Sequence, residues 1–420
     1  MNRKILYLII GFSFFFLSKV FAQVFSFEAP VITVTISAVG DLMCHSAQYK
    51  YAKTENGGYD FTPPFQFIKK YLINSDFTFG NLETVTAGKL HGFSTYPRFN
   101  SPDEYITALK NAGFNLLTTA NNHDLDQGKK GIIRTIEQIE KSNINYTGTF
   151  KSERDRDSIR IFNIKGIKIA FLAYTYGTNG IPVPKNCSYL INLIDPELIH
   201  SDIIKARENG AEIVLVYLHF GDQYVTRPTS YQKEIVKEVI NDGADIIIGG
   251  HPHVLQPVQY FKTKNAKLDT GFIAYSMGNF FSNQRQRYTD AGMILNISLS
   301  KNLYNDSIYI SNVRYAPTWV FKGAVQNKDE FLILPSEETI HYFSSGFLDA
   351  DNLYKIKQSI ADTKRILTKY TNNIKLFNYE QDLIQKFKKL ARSLPLERPK
   401  IFWNISRNEA SIFSLNYYSK

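Results

Sequence analysis

The stretch VITVTISAVGD, Val31 to Asp41, decides how this chain is read. Its β-branched run predicts a buried strand over Val31 to Val39. The strand runs straight into Gly40-Asp41, so a carboxylate stands at a strand's carboxyl end, where α/β sheets bind their ligands. The arrangement recurs downstream. Ser75 to Phe79 reads as a short strand ending in Gly80-Asn81-Leu82-Glu83. Pro102 to Ala112 reads as a helix with Ser101 as N-cap, Pro102 at its first position and Gly113 closing it. Asn115 to Thr118 is then a strand that delivers Asn121-Asn122-His123, and Gly128 to Lys141 carries helical periodicity in Ile132, Ile133, Ile136 and Ile139.

A second half follows. Strands are predicted at Lys168 to Tyr174, Glu212 to Tyr217, Asp245 to Ile248 and Gly271 to Tyr275, separated by helices near Pro196 to Glu208 and Tyr231 to Asp242. This alternation predicts an α/β protein with a largely parallel sheet and, from the strand count, two packed sheets. Met293 to Leu299 and Ser307 to Tyr315 close the region as strands. No repeat of 20 to 50 residues is visible. Beyond about Trp319 a Lys-rich amphipathic stretch from Asn352 to Leu394 reads as one or two helices, either packed on the core or docking a partner. The expected division is a signal peptide at 1–22, one α/β domain at 23–318 and a largely helical extension at 319–420.

The composition agrees with that plan. The 420 residues allow two or three domains, or one large domain with appendages. An apolar fraction of 44% and a charged fraction of 21% exclude bulk disorder. Fifteen Pro, 24 Gly and two Cys exclude collagen-like, Pro-rich and disulfide-stapled classes. A net charge of +10 favours polyanionic partners. No basic helix, zinc-finger spacing or basic-aromatic repeat points to nucleic acid, which is not expected as a partner.

Arg3 and Lys4, a 13-residue apolar run from Ile5 to Leu17, and Ser18 to Ala22 before Gln23 form the pattern of a secretory signal, with cleavage expected after Ala22. The run is short of the ~20 residues that would make it an anchor. Cleavage removes Arg3, Lys4 and Lys19, taking the net charge from +10 by three to +7. An exported protein, periplasmic or extracellular and associated with the cell envelope, is expected. In that oxidising space Cys44 and Cys187 are either bridged or two free thiols.

Five segments at predicted strand ends hold an acid, an Asn or a His, four of them together with Gly: Gly40-Asp41, Gly80 to Glu83, Asn121 to Asp124, Leu218 to Gly221 and Gly249 to His253. Singly, each has an ordinary explanation. An Asp after a strand forms turns or caps helices, and a His such as His219 often sits satisfied in a core. Four of the eight His fall in these segments, however, and together they point to a site. Carboxylate, amide oxygen and imidazole make a mixed N/O ligand set suited to manganese, iron or zinc rather than a thiolate zinc site. His251 and His253, two apart, are expected on one face of an extended chain.

The ordered motifs GDLM, GNLE, NNHDLDQG, LHFGDQY, GGHPHVLQPV and SMGNF, from about Thr35 to Leu299, resemble the CapA-type poly-gamma-glutamate capsule biosynthesis proteins of the calcineurin-like metallophosphoesterase superfamily. The resemblance implies a four-layer α/β sandwich with a dinuclear divalent-metal site along the strand ends. By motif, Asp41 is a ligand, Glu83 takes the bridging position, and Asn122 offers an amide oxygen. His219 and His251 complete one metal, and His253 leans toward the other. His123 matches the position that protonates a leaving group, with Asp126 either orienting it or capping the helix ahead of Gly128. Lys89 and Arg98 are candidates to grip an anionic substrate, or are solvated surface charges. Met43 stands where the wider superfamily has a His, and Gln223 where capsule-type relatives tend to have Glu. His45, two residues beyond Met43, is not taken as a substitute.

The resulting expectation is an exported metal-dependent hydrolase or transferase acting on an anionic envelope polymer by metal-bound hydroxide. Two other readings stay open: a non-catalytic polymer-binding subunit of a membrane-associated synthesis complex, and a phosphoesterase on small exported phosphate esters.

Overall fold

The computed structural model describes residues 30–325, 328–336, 348–377 and 379, so the expected signal peptide and nearly all of the tail beyond Phe377 lie outside the described residues. Val31 begins β1 (Val31–Leu42), and the chain order from there is α1 (Ser46–Tyr51), α2 (Lys69–Ile73), β2 (Phe77–Leu82), α3 (Glu104–Ala112), β3 (Leu116–Thr118), α4 (Gly128–Lys141) and β4 (Asn145–Thr147). The second half holds α5 (Glu153–Asp157), β5 (Arg160–Ile164), β6 (Ile167–Thr175), α6 (Pro196–Glu208), β7 (Ile213–His219), α7 (Ser230–Asp242), β8 (Ile246–Gly250), β9 (Val258–Lys262) and β10 (Thr270–Ala274). Then come β11 (Asn279–Phe281), β12 (Ala291–Asn302), β13 (Ile308–Val325), β14 (Lys328–Pro335), α8 (Ala350–Leu367) and β15 (Lys375–Leu376).

Two sheets result. The first runs β14-β13-β12-β1-β2-β3-β4, with β11 on β1 and β15 on β13; the second runs β5-β6-β7-β8-β10-β9. β1 to β4 are mutually parallel, as are β6, β7, β8 and β10; β12, β13, β14, β5 and β9 pair antiparallel, and the short β11 and β15 pair parallel. The two-residue period of β6 explains the layering: Ile169, Phe171 and Ala173 enter the core shared by the two sheets, beside Val34, Ile36 and Phe79. Ala170, Leu172 and Tyr174 face the other way, onto Ile199 and Ile203 of α6 and Val236 and Val239 of α7. The crossover helices α3 and α4 give nothing to the inter-sheet core and cover the opposite face of the first sheet, as parallel connections require. The architecture is thus the expected four-layer α/β sandwich.

Of the elements the sequence predicts, most lie within a residue or two of their expected spans. α4 and α6 match their expected spans, α6 capped by Asp195, whose carboxylate accepts from the backbone N–H of Glu197 and Leu198. α7 opens on a Thr229/Gln232 capping box and closes on Gly243 in the left-handed region. Three expectations need correction. α3 starts at Glu104 after Asp103, not at Pro102 after Ser101, because the Ser101 hydroxyl is engaged with Thr84 at 2.6 Å and leaves the first turn uncapped. β13 does not stop at Tyr315; its ladder with β12 continues through Pro317, Thr318 and Trp319, and a ladder with β14 extends it to Val325. The domain boundary drawn at 318/319 therefore falls inside a strand, and α8 belongs to the same packing, with Ile356 against Trp319, Phe321, Leu332 and Leu334. Both cysteines are buried free thiols, not a disulfide. Among the described residues no helix is long and apolar enough to cross a membrane.

Candidate metal centre

The site is assembled by sheet register. Where β1 bulges between Val39 and Asp41, a Cβ on Gly40 would lie 1.9 Å from the carbonyl oxygen of Gly278, so only glycine lets the β1 and β11 segments close together. That closure sets Asp41 opposite Asn81 on β2 and Asn279 on β11. The Asn81 amide donates to Asp41 Oδ1 at 2.9 Å, and Asp41 Oδ2 meets His253 Nδ1 at 3.1 Å. Glu83 follows β2 directly, its Oε1 lying 3.6 Å from both His219 Nε2 and His253 Nε2.

From the second sheet, β7 ends on His219 and β8 ends on Gly250. A Cβ on Gly250 would sit 2.1 Å from the Tyr217 hydroxyl and 2.8 Å from Asp41 Oδ1, so the glycine lets the two sheets' strand ends touch. His251 and His253 do not continue an extended strand, as the sequence suggested. Both have left-handed backbone, φ 98° and 57°, which costs a non-glycine residue of order 1–3 kcal/mol. This turns the two rings, 6.0 Å apart between centroids, toward different partners.

Two groups of potential ligand atoms emerge, each within 4.8 Å: Glu83, His219 and His251, and Asp41, Glu83 and His253. Glu83 is common to both, the position expected for a bridging acid. Asn122 stands beside the first group, its Oδ1 2.7 Å from His219 Nε2. The donor set fits divalent cations on two observations. Glu83 Oε1 and His251 Nδ1 are buried with no hydrogen-bond partner, an arrangement that is costly unless something else occupies those lone pairs. Burial, then the neighbouring Asp41, also pushes the Glu83 carboxyl well above the usual carboxylate range. Burial holds His219 well below the ordinary imidazole value and His251 down to about 3, so both are neutral ligands at physiological pH.

Next to this cluster His123 and Asp126 form a buried pair, Nδ1 to Oδ2 at 2.8 Å. Asp126 Oδ2 also accepts from the backbone N–H of Phe99, and the residue before α4 is Gln127, so Asp126 orients His123 rather than capping the helix. An open cleft of about 640 Å³ lies over these groups, lined by Arg98, Asn122, His123, Asp126, Gln223 and His251 among others. Arg98 therefore lies in the cleft wall. Lys89 does not: it sits exposed in a 3-10 turn, Lys89–His91, outside the cleft lining. Met43 is buried and joins neither ligand group, which leaves the Asp41 group with one imidazole.

Sequence reasoning assigned no role to Asn81, Asn279 or Tyr217. Asn81 also reaches Glu83 Oε2 at 3.4 Å, Asn279 Oδ1 lies 3.1 Å from His253 Nδ1, and the Tyr217 hydroxyl lies 3.2 Å from His219 Nδ1. These contacts fix the orientation of ligand side chains. Tyr217 was findable, since two residues before His219 on one strand means the same face.

The model of a family described as bacterial capsule synthesis protein PGA_cap matches residues 35–284. The chain belongs to that family. Its relatives include the capsule biosynthesis protein CapA of Bacillus anthracis, 30% identical over 64% of this chain and 64% of that one, and the PGA biosynthesis protein CapA of Bacillus subtilis, 31% identical over 64% of this chain and 68% of that one. The chain thus spans just under two thirds of the Bacillus anthracis CapA length. Among solved structures it resembles the Haemophilus influenzae NAD nucleotidase, at 14% identity and a TM-score of 0.45 over 88% of this chain and 69% of that one. A second is a putative 5'-nucleotidase from Staphylococcus aureus, at 14% identity and a TM-score of 0.43 over 79% and 58%. Within the PGA_cap family, the matched span covers every candidate ligand of this chain.

Proposed function

We propose that this PGA_cap family member is an exported metal-dependent hydrolase or transferase acting on an anionic envelope polymer of the poly-gamma-glutamate kind. The observation that carries the reading is the buried, unpartnered Glu83 oxygen shared by two ligand groups, directly beside an open cleft. Two divalent ions, manganese, iron or zinc by the donor chemistry, would be held by Asp41, Glu83, Asn122, His219, His251 and His253. Bound there, they would lower the pKa of water and polarise the attacked group.

The chain's own residues supply the rest. Asp126 fixes Nδ1 of His123, which leaves the other ring nitrogen to deliver a proton to a leaving group. Arg98 at the cleft wall pairs with a carboxylate or phosphate of the substrate. Asn81 and Asn279 hold Asp41 and His253 in place, so the ligands need little reorganisation. The net charge of +10 supports a polyanionic substrate.

A polymer-binding subunit without turnover is the second reading, favoured by buried Met43, which leaves one ligand group short of an imidazole. The test is size-exclusion analysis of poly-gamma-glutamate incubated with the metal-loaded protein, alongside a p-nitrophenyl phosphate assay. We expect the polymer's size distribution to change, and His123→Gln to lower the rate about 10²- to 10⁴-fold while polymer retention persists. Retention with unchanged polymer and no phosphoester cleavage, at full metal content, would establish the non-catalytic reading instead.

A further inference from the structure

Away from the metal centre, the loop between β11 and β12 and the helix α8 enclose a second, smaller cavity of about 120 Å³. By liquid volume it holds about four waters. A single carboxylate or phosphate group fits; a nucleotide does not.

Its lining is cationic in an unusual way. Arg285, Arg287 and Lys355 all contribute to the wall. Arg287 is satisfied by Asp362 through two hydrogen bonds at 2.8 and 2.9 Å, and Lys355 pairs with Asp351 one helical turn away. Arg285 has no such partner. Among the described residues it makes no ion pair; it donates to the carbonyl oxygen of Val320 and lies over the Trp319 ring at 5.7 Å. Asp290, also in the wall, is turned to the Trp319 indole N–H at 2.7 Å. A guanidinium carries five donors, so most of those of Arg285 remain for a ligand. Arg285 is an exposed residue overall, so its free donors face solvent at the mouth of the cavity; partial desolvation lowers its pKa, opposed by the nearby Asp290 carboxylate.

A second, independent feature lies on the α8 side of the cavity. Ser359 and Thr363 line it, are 7% and 1% exposed, and hold hydroxyl oxygens with no hydrogen-bond partner. Buried hydroxyls without partners are uncommon and costly. One helical turn apart, they stand on the same face of α8.

We propose that this cavity is a binding site for one small oxyanion, a carboxylate or phosphate group, held by Arg285 with Ser359 and Thr363 and flanked by Arg287 and Lys355. It does not depend on the metal reading. It has a route to that centre nonetheless, because the loop's Gln284 accepts from Asn279, whose Oδ1 contacts His253.

The experiment is isothermal titration of the full chain with inorganic phosphate and, separately, with acetate, at constant ionic strength with chloride as the control. Arg285→Met, Thr363→Val and Asp41→Asn are run in parallel. We expect saturable binding of at least one anion, weakened about 10-fold or more in Arg285→Met and weakened in Thr363→Val. Asp41→Asn should retain it, which separates this site from the metal centre. Phosphate alone would identify a phosphate-type ligand, and both anions a carboxylate-sized one. If Arg285→Met fails to fold, Thr363→Val decides. Absence of saturable binding, or binding lost in Asp41→Asn and unchanged in the folded cavity variants, would overturn the proposal.

Discussion

At the residue scale the site is a set of side chains whose environments have been made expensive on purpose of position. Glu83 and Asp41 are fully buried together, and His219 and His251 are held neutral by burial. Replacing His251 by Ala removes one ligand from one group only, so metal affinity there should fall at least about 100-fold while the Asp41 group persists; metal titration by calorimetry checks this. Asp126→Asn keeps the shape beside His123 but removes the charge that faces its ring, so the loss should appear as a reduced rate with metal content unchanged. Most of these residues were legible in the sequence, because an acid, an Asn or a His at the end of a predicted strand has few structural reasons to recur five times. Asn81 and Asn279 were not, since an Asn beside Gly reads as a turn former until sheet register sets it against Asp41. Lys89, read either as a grip on substrate or as a solvated charge, lies exposed outside the cleft lining, and charge in a loop carries no direction that would have told the two apart. The left-handed backbone of His251 and His253 was equally hidden, as nothing in two spaced histidines signals positive φ.

At the element scale the close approach of β1 to β11 holds the first sheet's half of the centre. Gly40→Ala would push a methyl group into the Gly278 carbonyl, and we expect a loss of about 3 kcal/mol in urea unfolding, together with a weakened Asp41 ligand group. The extension of β13 past Trp319 makes a parallel prediction. A chain ending at residue 318 would lose the end of β13 with Trp319 and Phe321 together with β14 and α8, and it should not give a cooperative unfolding transition. Ile356→Ala in the full chain, a milder form of the same change, should cost about 2–5 kcal/mol. The sequence boundary was misplaced because the strand-end motifs stop near residue 281, and the change of character was taken for a change of domain. Antiparallel strands that only close a sheet carry no chemistry and therefore no motif. The parallel βαβ units were readable for the opposite reason: α6 and α7 each have a side-chain cap, a period and a glycine at or just past the helix end, and α4 has its period.

At the scale of the whole molecule, two sheets bring their strand ends to one edge, where the candidate ligand groups gather. His45, which is not itself a proposed ligand, gives a handle on stability. Burial lowers its pKa from 6.5 to about 4, opposed by its contact with Gln48. A folded-state value below the unfolded one means that the unfolded chain takes up the proton first. The contribution of His45 is therefore complete above about pH 6.5 and is lost as pH falls toward 4. At about 1.4 kcal/mol per pH unit, the protein should lose up to about 3 kcal/mol more than His45→Gln across that window, measured by urea unfolding at several pH values. Equal pH slopes would remove His45 from the account. The central claim is a pair of ions sharing Glu83, and elemental mass spectrometry of protein purified without chelators tests it most directly, beside Glu83→Gln and His251→Ala. The account predicts about two equivalents of manganese, iron or zinc in the unaltered chain, about one in His251→Ala and almost none in Glu83→Gln. No stoichiometric metal after reconstitution, or two equivalents retained in Glu83→Gln, would contradict it.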